Sequence, residues 1–135
     1  MGTVEISDFN DLINLGRITK AVEVNSHKIV LGTLNAEEYS AAMARIPEEL
    51  QGAARMERIQ REVIATAIQS IDSRVLDVDT RVKILSMGQL ALSNLLYTEY
   101  VEMIGDQDKI LEEAKKNSSQ AQKVSPSSPK VPASR

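Results

Sequence analysis

The sequence predicts an α+β protein, with an N-terminal β-hairpin packed on a small set of three to four mainly antiparallel helices and a disordered C-terminal tail. Three observations carry that expectation. Val22, Val24, Ile29 and Leu31 alternate with polar or small residues at the period of two of half-buried strands. Two later segments repeat apolar residues at three-four spacing, the mark of helices with one buried face. Aromatic residues make up only 3% of the chain, with no Trp and one Phe, so Leu, Ile, Val, Met and Ala must build the core. That composition suits packed helices better than a large sheet.

Residues 1–17 read as a loosely ordered lead, in which Phe9, Leu12, Ile13 and Leu15 could pin the segment to the body. Asp8 or Asn10 is placed to cap a short helical turn that Gly16 ends. In the hairpin that follows, Asn25, Ser26 and His27 form the turn, because Asn tolerates left-handed backbone and Ser can bond back to the chain. A lone hairpin is marginal in water, so one face must lie on something apolar.

A helix partner begins a few residues on. Asn35 caps it, and Glu38, three residues later, reaches back to the Asn35 amide as a capping box, with Leu34 and Tyr39 at the staple positions. Glu37 and Glu38 also meet the helix dipole, at about 0.3 to 1 kcal/mol each. This first helix spans 36–46, with Tyr39, Ala42, Met43 and Ile46 on one face.

Pro47 opens a second helix, or Ala53 does if Gly52 weakens the first turn, and the stripe Met56, Ile59, Val63, Ile64, Ala67, Ile68 and Ile71 carries it to about 71. Residues 72–79 form a connector with Val75 and Leu76 turned inward. Asp77 or Asp79 caps a third helix over 80–104, whose stripe includes Val82, Leu85, Leu92, Leu95, Leu96, Tyr100, Met103 and Ile104. Gly105 is its stop signal, and 106–116 add another turn or two. The hairpin and helices together make an ordered body over 18–116. Residues 117–135 are rich in Ser, Pro and Gln and read as disordered, since they cannot bury enough surface to offset ordering entropy.

The net charge of −3 hides an asymmetry. Lys123, Lys130 and Arg135 give the tail +3 with no acid, which leaves −6 on the body. An acidic body argues against nucleic-acid binding, which needs a concentrated basic face. The absence of cysteine excludes disulfides, thiolate metal sites and cysteine nucleophiles. With no basic region followed by an apolar run and no long apolar stretch, a soluble protein without membrane association is expected.

No residue set offers catalytic, cofactor or metal chemistry, and no enzyme activity is expected. His27, the sole histidine, falls in the expected turn beside no fixed carboxylate and reads as a surface residue. Asp72, Asp77 and Asp79 gather near one connector, but the glycine and bidentate glutamate of a calcium loop are missing, so capping and solvation account for them better. Glu57, Arg58, Arg61 and Glu62 form a charged face on the second helix, with Glu57 and Arg61 spaced as a surface ion pair. Tyr97 and Tyr100, with Tyr39, Met43 and Met103, either edge the core or surround an exposed groove suited to an apolar peptide. These five are the candidate partner-binding residues.

Leu31, Leu34, Asn35, Glu37 and Glu38 at the start of the first helix, Ala67, Ile68, Ile71 and Asp72 at the end of the second, and Leu96 with Tyr100 on the third follow an order of elements that resembles the small tail assembly chaperones of long-tailed bacteriophages. The likeness covers about residues 18–104, with Asn at position 35 where Thr is commoner. It implies a non-enzymatic viral protein that binds a helical tape measure protein in the host cytoplasm during tail assembly and leaves before the tail matures, and a homo-oligomer is compatible with it. It also implies a longer frameshifted product, for which the codons of Lys115, Lys116 and Asn117 could supply a slippery run. A second reading is a structural virion protein, a baseplate, tail-completion or capsid-associated subunit, whose C-terminal arm orders on neighbouring subunits.

Overall fold

The computed structural model describes residues 5–122. The chain divides into two compact units, Arg17–Gly105 and a second made of Met1–Gly16 with Asp106–Arg135. The fold class is α+β, as the alternating and three-four patterns require.

In the larger unit, β1 (Thr19–Val24) and β2 (His27–Gly32) form the expected antiparallel hairpin, with Val22 opposite Ile29 and Lys20 opposite Leu31. The turn is tighter than its sequence suggested. Only Asn25 and Ser26 lie in it, both left-handed at φ 49° and 71°, and His27 already pairs with Val24 as the first residue of β2. Two left-handed central residues match the twist of the strands better than a three-residue turn.

The helix α2 (Ala36–Ala44) starts as its cap dictates: the Glu38 amide donates to Asn35 Oδ1 at 2.7 Å, and the Asn35 amide donates to Glu38 Oε1 at 2.9 Å. Pro47 does not open the next helix, because α3 (Gly52–Ala67) begins at the glycine. It also stops before Ile71. Ile68–Ile71 instead forms β3, a third strand antiparallel to β2, with Ile71 opposite Ile29 and Leu31 opposite Ile68 across an irregularity at Val30. A second left-handed pair, Asp72 and Ser73 at φ 52° and 68°, turns the chain at the end of β3.

The expected third helix is two. Asp77 caps α4 (Val78–Met87) by accepting from the Thr80 amide at 2.8 Å, Gly88 ends α4, and α5 (Leu90–Gln122) follows. Gly105 does not stop α5, so the expected tail is helical as far as Gln122. The rest of that segment, 123–135, lies outside the described residues.

The core sits where the sheet meets α3 and α5. Leu31, Ile64, Ile68, Leu96 and Met103 are its largest buried apolar side chains, each contributing about 1.5 to 3 kcal/mol by leaving water. Val75, expected inward, is 85% exposed. No helix among the described residues is long and apolar enough to cross a membrane.

In the smaller unit, a 3-10 turn (Ile6–Phe9) leads into α1 (Asn10–Ile13), and Gly16, left-handed at φ 83°, ends the lead as expected. There its carbonyl accepts from Gln107 Nε2 at 3.2 Å. The apolar side chains of the lead are not buried as the sequence suggested. Phe9, Leu12, Ile13 and Leu15 stay 40–64% exposed, and no described residue of this unit belongs to the hydrophobic core.

Candidate partner-binding surface

The five candidate residues do not surround an open groove. Met103 is 1% and Tyr100 8% exposed, both packed in the core, while Met43 and Tyr97 are half-buried against it. Tyr39 alone is open, at 49%. The three-four stripe of α5 carries Tyr100 and Met103 inward together with Leu96, so the residues nominated for binding are the ones the core uses. Burial raises the Tyr100 phenol above its ordinary range.

The polar clusters spend their groups on the fold. His27 has the fixed carboxylate its sequence neighbours did not reveal, since β3 brings Asp72 to the hairpin end. Asp72 Oδ2 lies 2.6 Å from His27 Nδ1, and Oδ1 accepts from the Lys28 amide at 2.8 Å. The contact to His27, and then the Lys28 amide, lower the Asp72 carboxyl below its usual range. The pair is exposed at the strand end, no nucleophile among the described residues is bonded to it, and it works as a clasp between β2 and the turn after β3.

Asp77 caps α4, and Asp79 accepts from Arg45 Nη2 at 2.8 Å. Among the described residues, no group of three or more His, Asp or Glu side chains is placed to hold a metal ion.

The charged face of α3 is only half solvent-facing. Arg61 meets Glu57 at 2.9 Å as the spacing required, but Glu62 is fully buried and accepts from Arg45 Nε at 2.8 Å and Arg58 Nε at 2.9 Å. With Asp79 this network ties α2, α3 and α4 together. Its carboxylates hold the Arg45 guanidinium above its ordinary range, Asp79 most of all. Arg81 spans a cleft of about 320 Å³ whose wall includes Leu34, Ala42, Gln69 and Val78. Its Nη1 donates to the Ala65 carbonyl at 2.8 Å and to that of Ile68, so it satisfies the C-terminal end of α3.

Open apolar surface lies elsewhere. A more enclosed cleft of about 220 Å³ forms where α3, α4 and α5 meet, lined by Glu57, Gln60, Arg61, Ser86, Ser93 and Asn94 beside the apolar Leu85 and Leu90. Leu90 is 59% exposed, and next in sequence to its lining residues stand Met56 and Met87, at 65% and 76%. Periodicity hid this surface, because Met56 lies on the apolar stripe of α3 and Met87 precedes the break at Gly88. The break was the readable signal, since a glycine there frees the residues on either side from one continuous helical face.

Searches against protein-family models, curated proteins and solved structures return no match for this chain.

Proposed function

We propose that the protein is a non-enzymatic, tail-assembly-chaperone-like protein of a long-tailed bacteriophage, which binds a helical tape measure protein in the host cytoplasm while the tail is built. The observation that carries this reading is that Met56 on α3, Met87 at the end of α4 and Leu90 at the start of α5 all stay open to solvent. Methionine is unbranched and polarisable, so a Met-rich surface adapts to successive apolar segments of a long client rather than to one sequence. The sequence resemblance over 18–104 supplies the identity of the client. The polar networks add support by their arrangement: Glu62, Asp77 and Arg81 are committed to capping and cross-linking helices, which leaves a rigid body as a platform.

Co-expression with the large helical protein encoded beside this chain tests the proposal. The expected result is a larger soluble fraction of that protein and its co-purification, both reduced by M56D/M87D. No gain in solubility and no co-purification would overturn it. Recovery of the chain at fixed stoichiometry from purified particles would instead favour the structural virion reading.

A further inference from the structure

The N-terminal lead sets an acid before an apolar residue three times, at Glu5-Ile6, Asp8-Phe9 and Asp11-Leu12. Its 3-10 turn at Ile6–Phe9 gives way to α1 at Asn10. Acidic and apolar side chains thus alternate along one short segment. Neither helical piece buries a residue, and Ile6, Phe9, Leu12 and Ile13 are 78%, 46%, 64% and 54% exposed. No basic residue occurs from 1 to 16.

We propose that this lead is an acidic amphipathic docking element whose occupant is a partner helix with an apolar stripe flanked by Lys and Arg, whether or not that partner is a tape measure protein. Charge decides between such a partner and a second copy. The lead itself, 5–16, holds three acids and no base, a balance of −3. Two leads joined face to face would set −3 against −3 within a Debye length of about 8 Å, whereas a basic rim removes the repulsion and steers encounter.

The test uses the full chain and two synthetic helical peptides of about 18 residues, five turns each, with identical leucine stripes and flanks of lysine in one and glutamate in the other. Fluorescence anisotropy at physiological salt should show saturable binding to the leucine–lysine peptide and at least roughly tenfold weaker binding to the leucine–glutamate one. L12D/I13D should weaken binding about tenfold or more although it adds two attractive charges. V75D/V101D adds the same charge at exposed apolar positions outside either surface and should not weaken it. D8K/D11K should reverse the preference between the peptides.

Thermal midpoints equal to the parent protein would show that the variants fold. The proposal is overturned if neither peptide binds, if both bind equally, or if L12D/I13D binds as tightly as the parent. A loss in V75D/V101D as large as that in L12D/I13D would also overturn it. Failure of the co-expression test with success here would remove the tape measure reading and leave the lead's role standing.

Discussion

Glu62 offers the sharpest test of what holds the helices together. Its carboxylate is fully buried and shared by Arg45 and Arg58, whose side chains are 30% and 31% exposed. Removing both cations by R45M/R58M keeps the apolar stems and strands a buried charge without a partner, which costs about 3 to 5 kcal/mol. Replacing the carboxylate in E62L removes the charge along with its desolvation cost. The two half-exposed guanidiniums can then turn to water, and Arg45 keeps Asp79 at 2.8 Å. The expected loss is about 1 to 2 kcal/mol, mostly from shape mismatch.

The two variants therefore rank opposite to a count of lost ion pairs, since each breaks the same two contacts to Glu62. Urea unfolding followed by far-UV circular dichroism measures the difference. With a slope of about 1.5 kcal/mol per molar, the midpoint should fall by about 2 to 3 M in R45M/R58M and by about 1 M in E62L. An E62L midpoint at or below that of R45M/R58M would refute the reasoning and mean that desolvation of the carboxylate is not the governing cost.

Four further outcomes are expected. S26G should raise stability by about 0.5 to 1 kcal/mol, read as a higher thermal midpoint, because Ser26 is held left-handed where glycine carries no penalty. M103A should cost about 2 to 5 kcal/mol in the same assay and Y39A about 1 kcal/mol or less, reflecting which of the two lies in the core. D72N should be less stable than the parent near neutral pH, with the gap closing in acid. The Asp72 carboxyl is lowered from 3.8, so its contribution is present above that value and disappears as pH falls through the lower folded value, a course that a pH series of unfolding midpoints would follow. G105A should slow amide exchange in the surrounding turns of α5, by up to about 1 kcal/mol of local stability, since nothing lies within 4 Å of an added Cβ there.

Local chemistry made some elements readable and tertiary pairing hid others. The Asn35 box needs only residues three apart, and both of its bonds formed. β3 was not readable, because Ile68 and Ile71 are spaced three apart and extend the stripe of α3 without a break. What makes them a strand is the free edge of β2, whose Ile29 and Leu31 pair with Ile71 and Ile68, 42 and 37 residues away along the chain. The connector read from Asp72 does begin there with the Asp72–Ser73 turn, but without glycine its left-handed backbone was not signalled. The two glycines of the later helices misled in opposite directions. Gly88 ends α4 by going extended, at φ −80° and ψ 176°, whereas Gly105 stays inside α5, where ordinary residues on both sides outweigh its cost of about 1 kcal/mol.

The candidate site failed for a reason that applies to any short aromatic-poor chain. With one Phe, three Tyr and five Met, the large adaptable side chains are too few to serve both core and surface, so a rule that assigns them to binding takes from the core. Tyr100 and Met103 went inward because they share the α5 face with Leu96, and position on a helix outranks residue type. The same logic identifies what is free to bind. Met56, Met87 and Leu90 stand beside helix ends, and Ile6, Phe9 and Leu12 lie on the short helical pieces of the lead, and all six stay exposed among the described residues. Exposed apolar side chains cost free energy unless something covers them. Because the two sets differ in charge, one flanked by acids alone and the other by Glu57 and Arg61 together, they select different partner surfaces, and variants in one should leave binding through the other unchanged.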